Sequence, residues 1–140
     1  MNATTPQALG QLRALLTGRA LPYTRPGSLS AIAKEPRSGP VDVGALGLEG
    51  DEQGDPRVHG GPDKAVHCYA FSQYAPWRQE LAGNATAQAL LAQPGAFGEN
   101  FSLDGLDETQ VCLGDQWQVG SARFEVSQGR QPCWKLNDRF

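Results

Sequence analysis

The sequence predicts a small β-barrel or sandwich interrupted by a helical insertion. The chain has 17 Gly and 10 Pro in 140 residues, too many breakers for a helical bundle. Hydrophobic residues make up 39%, enough for one core but not two, so residues 1–140 are read as a single domain. Short alternating apolar runs lie on both sides of a central stretch with helical spacing, around residues 72–93.

Taken in order, Thr5-Pro6 can cap a helix, with Leu9, Leu12, Leu15 and Leu16 at helical spacing and Gly18 as its stop; the same residues also read as a strand around Leu12 to Leu16. Residues 19–28 are irregular. Ser30 to Lys34 and Val41 to Val43, joined through the turn Ser38-Gly39-Pro40, suggest a hairpin. A loop rich in glycine and acids follows, from Leu46 to Asp55. It lacks the ligand ladder of an EF-hand and the helices that would flank one, which disfavours a calcium loop.

After the turn at Gly60-Gly61, a strand is expected from Ala65 to Ala70. Ser72 is placed to cap a helix running to Ala82, with Tyr74, Trp77 and Leu81 on one face and Gly83 as its end. Asn84 to Ala92 reads as a second short helix stopped by Pro94-Gly95. Strands are expected around Phe101 to Leu103, over Gln110 to Val119 with a break at Gly114-Asp115, and over Ala122 to Val126. Cys112 lies off the apolar side of that alternation, an exposed position with no assigned role.

The formal net charge of −3 gives no general reason to expect nucleic-acid binding, so a bound anion needs a local cluster of cations. Three cysteines, Cys68, Cys112 and Cys133, form no CxxC pair, which argues against a disulfide framework or a structural zinc site and for a reducing compartment. The N-terminus has no basic flank before an apolar run, and no stretch approaches a bilayer-spanning length, so a cytoplasmic location without membrane contact is expected.

Two stretches carry chemistry. In Ser127 to Asn137, Cys133 follows Pro132, three residues past Arg130 and two before Lys135. Nearby positive charge favours a thiolate, so Cys133 reads as a nucleophile or soft-metal ligand; the competing reading is a small core residue. In His59-Gly60-Gly61-Pro62-Asp63-Lys64, the paired glycines let backbone approach a ligand while His59, Asp63 and Lys64 supply a donor, an acceptor and a fixed charge. A simple tight turn before a strand explains the glycines about as well.

Together with Ser30 to Lys34, Gly47 to Gln53 and Phe97-Gly98-Glu99-Asn100, these stretches resemble the MOSC domain family, in particular the bacterial 6-N-hydroxylaminopurine resistance proteins. The resemblance runs from about residue 12 to the last residue. It implies a mainly β, barrel-like fold, a strand over Leu12 to Thr17, and molybdopterin-bound molybdenum with Cys133 as catalytic residue and molybdenum ligand. Motif membership adds His59, Gly60, Gly61, Lys64, Asn100, Arg130 and Lys135 as cofactor-binding positions. Pyridoxal phosphate, used by related sulfurases, belongs to a different domain and is not expected.

The implied activity is a detoxifying reduction of N-hydroxylated bases and related small molecules, with electrons from a separate reductase, since the sequence holds no flavin fingerprint or cluster-binding cysteine set. A cofactor or sulfur carrier with a persulfide on Cys133 is the alternative, and an inert fragment a third reading. Related proteins continue past the position of Phe140, so the closing strand and the helical extension are expected to be missing here, with a homodimer as one way to cover the open edge.

Overall fold

The computed structural model describes Thr5 and residues 7–140. Strand β1 (Gln11–Thr17) is the hub of the fold. It is followed by β2 (Leu21–Pro22), β3 (Leu29–Ser30), β4 (Glu35–Pro36), β5 (Val43–Gly44) and β6 (Gly47–Leu48). A short helix α1 (Pro56–His59) and a 3-10 turn at Pro62–Lys64 lead into β7 (Cys68–Ala70). Helices α2 (Tyr74–Glu80) and α3 (Ala85–Leu90) come next, then β8 (Phe101–Asp104), β9 (Gln116–Val119), β10 (Ala122–Glu125) and helix α4 (Trp134–Arg139).

The principal sheet has the order β4-β1-β8-β7. β1 runs antiparallel to β4 and β8, and β7 runs parallel to β8 with Tyr69 opposite Ser102. The helical reading of Leu9 to Leu16 is thereby overturned in favour of the strand, because β1 has backbone partners on both sides and sheet pairing outweighs local propensity. Pro6, half of the helix signal, lies outside the described residues.

The fold is mainly β with some helices, and the barrel does not appear: among the described residues β4 and β7 are unjoined edges, and β9 pairs only with β10. The hairpin expected between residues 30–34 and 41–43 is also replaced. Hydrogen bonds from Tyr23 N to Ser28 O and from Ser28 N to Arg25 O close a local turn that pairs β2 with β3, and β5 pairs with β6 instead. Residues 35 and 36, left free, become the partner of β1.

The two-helix insertion stands where the periodicity put it. Asn84 caps α3 through its side chain, which accepts from Ala87 N at 3.0 Å. Ser72 does not cap α2; it lies inside a 3-10 turn, Phe71–Gln73, that feeds the helix. The Gln110 side of the predicted strand is likewise a 3-10 turn, Glu108–Gln110, because Asp107 and Gln110 close a capping box there. Cys112 is exposed, as expected.

The core sits under the insertion: Tyr74, Ala87, Leu91 and Ala96 are buried, and Tyr69, Phe97 and Phe140 pack around them. Glu99, 0% exposed, lies beside this cluster. Its carboxylate accepts from the Tyr74 hydroxyl, from Gly95 N at 2.9 Å and from Phe97 N at 3.1 Å, so the buried charge is matched by donors. Gly98 lets this turn pass over Ile32: its φ is +73°, and a Cβ there would meet Ile32 Cγ1 at 3.0 Å.

Candidate functional site

Cys133 occupies the N-cap of α4, half-buried and without a disulfide partner. The helix that presents it is fastened at both ends. At the near end the Tyr23 hydroxyl donates to Lys135 O at 2.8 Å and the Arg25 guanidinium stacks over Trp134 at 4.0 Å. At the far end Arg139 Nε donates to Ala96 O at 2.9 Å and Phe140 packs 5.4 Å from Phe97. The sequence carried no signal for α4 or for these anchors, which join residues far apart along the chain, 112 positions for Tyr23–Lys135 and 43 for Arg139–Ala96.

The same C-terminal segment docks on the two-glycine loop. Ser127 Oγ donates to Asp63 O at 2.6 Å and Gln128 Nε2 to the same oxygen at 3.1 Å. Arg130 Nη2 lies 3.2 Å from His59 Nδ1. Gly61 turns the loop with φ +102° and nothing near the position of a Cβ, while a Cβ on Gly60 would strike Pro56 O at 2.6 Å. Lys64 Nζ donates to Val58 O at 2.6 Å, beside His59. Lys135 is buried, with Nζ donating to Leu29 O at 2.6 Å.

His59, Lys64, Arg130, Cys133 and Lys135 therefore line one open cleft. The cleft measures about 2160 Å³. That exceeds the roughly 300–1,000 Å³ of a ligand-shaped pocket, so the site is one end of a broad concavity that also takes in the uncovered face of β8 to β10. The charges are close enough to act on one another. Desolvation pulls Arg130 below its ordinary value and the Cys133 sulfur opposes this. Burial, then Arg130, Lys135 and Lys64 hold His59 below its ordinary value, with Asp55 acting weakly the other way. Tyr23 is raised, chiefly by burial, with Cys133 among the minor contributors.

Asn100 is placed differently. It is 3% exposed, and its amide is satisfied inside the protein: Nδ2 donates to Leu16 O at 3.1 Å and to Asp51 Oδ2 at 2.9 Å, and Oδ1 accepts from His67 N at 3.0 Å. Asp51 Oδ1 in turn accepts from Lys34 Nζ at 2.7 Å and from Gly18 N at 2.9 Å. This polar frame, unassigned by sequence reasoning, fixes His67 behind the two-glycine loop. The His67 ring is buried, its Nδ1 has no hydrogen-bond partner, and burial followed by Arg130 lowers its pKa to about 4. Its place in the same motif as His59 was the one available signal.

The MOSC domain family profile matches residues 55–140. The chain belongs to the MOSC domain family. That family is associated with molybdenum cofactor binding. This MOSC chain is 46% identical to Protein YiiM of Escherichia coli (strain K12) over 124 residues, covering 89% of its own length and 53% of YiiM. It is 40% identical over 112 residues to a protein of Gibberella moniliformis named Reductase, covering 79% of its own length and 19% of that protein. The crystal structure of YiiM from Geobacillus stearothermophilus superposes with a TM-score of 0.66 at 35% identity, covering 91% of this chain and 54% of that one. The resemblance to the bacterial 6-N-hydroxylaminopurine resistance proteins is borne out, since YiiM is one of them. The MOSC chain spans about half the length of YiiM and a fifth of the Reductase.

Proposed function

We propose that this MOSC domain holds an anionic, pterin-bound molybdenum cofactor with Cys133 as molybdenum ligand and serves an oxidoreductase acting on N-hydroxylated bases and related small molecules. The supporting observation is the meeting of Cys133 and Arg130 with the His59–Lys64 loop at one end of the cleft. The donor set fits such a group. Among the described residues no cluster of three or more His, Cys, Asp or Glu side chains is arranged to hold a metal, so Cys133 suits a metal that arrives with most of its ligands. Arg130, Lys64 and Lys135 suit its phosphate. When bound, the cofactor supplies a two-electron redox centre that takes a soft thiolate readily.

The chain's own residues bind and orient. Arg130 and Lys64 line the cleft, Lys135 adds a buried positive charge, and Gly61 gives the neighbouring loop its turn with φ +102°. Asn100 contributes by positioning His67. Reduction of a hydroxylamine to an amine breaks one N–O bond, takes up two electrons and two protons, and releases water; a separate reductase supplies the electrons. The name of the Gibberella relative supports an oxidoreductase role. The cytoplasm suits a reduced Cys133, and among the described residues no helix is long and apolar enough to cross a membrane. The family's barrel belongs to the same reading: β4 and β7 are the edges across which further strands, of this polypeptide or of a second copy, would close it.

Metal analysis of protein produced in a host that makes molybdopterin tests the proposal. Molybdenum is expected in the wild type and absent from Cys133→Ser, with hydroxylaminopurine reduction lost in parallel. Equal metal content in both, or none in either, overturns it. A persulfide on Cys133 without molybdenum would move the function to a sulfur carrier.

A further inference from the structure

At the Cys133 end of the cleft His59 supplies an imidazole, the side chain whose ordinary titration lies closest to neutral pH. A guanidinium carries donors only, so the 3.2 Å contact from Arg130 Nη2 makes His59 Nδ1 the acceptor and leaves the ring proton on Nε2. The imidazole is therefore neutral in this arrangement. Every element packed around it adds positive charge: Arg130 from the C-terminal segment, Lys135 from α4 and Lys64 from its own loop. The opposing carboxylate, Asp55, is already engaged with Arg57 Nε at 3.1 Å. His67, the other imidazole, has its Nδ1 buried without a partner and is held neutral by burial, with its pKa lowered to about 4.

We infer that His59 couples anion binding to proton uptake: a phosphate-type dianion settling among Arg130, Lys64 and Lys135 draws one proton onto His59, which becomes a fourth cationic donor to it. The step balances simply. The Arg130 N–H turns from His59 Nδ1 to the anion, Nδ1 takes a proton from solvent, and Nε2 keeps its own. One N–H bond forms from the Nδ1 lone pair as an O–H bond of hydronium breaks, and no oxidation state changes. The driving force is a reversal of local field, since two negative charges enter an environment in which Arg130, Lys135 and Lys64 outweigh Asp55. Linkage is reciprocal, so anion affinity must rise as pH falls, by up to tenfold per pH unit between the free and bound titration ranges of His59.

The choice of residues rests on the cofactor reading, but the coupling is tested separately, with inorganic sulfate on the intact chain. Sulfate stays a dianion across this pH range and contributes no proton of its own. Calorimetric titration near pH 7 in two buffers of different ionisation heat is expected to show proton uptake rising toward one per sulfate, and the His59 Cε1–H resonance to shift its titration upward when sulfate is present. His59→Gln is expected to bind sulfate more weakly, without proton uptake and with a flat pH dependence. Sulfate binding without proton uptake, uptake that persists in His59→Gln, an unmoved His59 titration, or no sulfate binding overturns the inference. Molybdenum content in wild type and Cys133→Ser is untouched by any of these results.

Discussion

Asn100 Nδ2 donates to Asp51 Oδ2 at 2.9 Å, joining the residue just before β8 to the glycine-rich loop 49 positions earlier. The same amide holds Leu16 O and His67 N, and Asp51 holds the buried Lys34 ammonium at 2.7 Å. One frame thus ties β1, the acidic loop and the segment leading to β7. Asn100→Ala strips a partner from each of them. Unfolding in denaturant is expected to show a loss of about 1–3 kcal/mol per group left buried without a partner. A loss under about 0.5 kcal/mol, typical of a surface substitution, would sink this account.

Lys34 and Asp51 are 7% and 2% exposed at their side chains, so their pairing is of the buried kind. Lys34→Met leaves the Asp51 carboxylate uncompensated and is expected to cost about 3–5 kcal/mol. Lys34→Met with Asp51→Leu is expected to recover part of that loss, because the desolvation of both charges disappears with the pair. A double-mutant cycle on denaturation midpoints reads the coupling; additive losses would mean that the two side chains do not act as a pair.

Burial lowers His67 from 6.5 to about 4, and Arg130 adds to the effect. The folded state thus favours the neutral ring, while the unfolded chain takes a proton near the ordinary value. Stability from this residue is fully present above about pH 6.5, falls as pH drops toward about 4 and is level below that. The full change is on the order of 3 kcal/mol. Thermal melts from pH 7 to pH 4 should show this slope in the wild type and a flatter one in His67→Gln; identical slopes would contradict it.

Local chemistry that needed no distant partner was legible in the sequence. Asn84 announced α3, and the two-glycine loop and the Arg130–Cys133 stretch, each singled out by its own chemistry, meet through His59 and Arg130. The strand β1 was reached through the family resemblance, because Leu9, Leu12, Leu15 and Leu16 carry helical spacing while β1 owes its state to β4 and β8. Two-residue strands such as β3 and β5 leave almost no periodic signal, so their partners were misassigned. The Lys34–Asp51–Asn100 frame was illegible for a different reason. Its members sit in separate motifs with no fixed spacing, and only folding shows that they compensate one another.

The three thiols should separate by chemical labelling, which also tests the openness of the cleft. Cys68, the first residue of β7, is half-buried like Cys133, but desolvation pushes its thiol up to about 12, so almost no thiolate is available at pH 8. Cys112 is exposed in a turn, and Cys133 is half-buried and lines the cleft. Iodoacetamide at pH 8 is therefore expected to modify Cys112 and Cys133 in the native protein and to reach Cys68 only after denaturation, as read by peptide mass spectrometry. Saturating sulfate in the cleft should slow labelling of Cys133 while leaving Cys112 unchanged, because only Cys133 shares its surroundings with Arg130. Native labelling of Cys68, or a Cys133 that reacts no sooner than Cys68, would mean that the thiol at the head of α4 does not open onto the cleft.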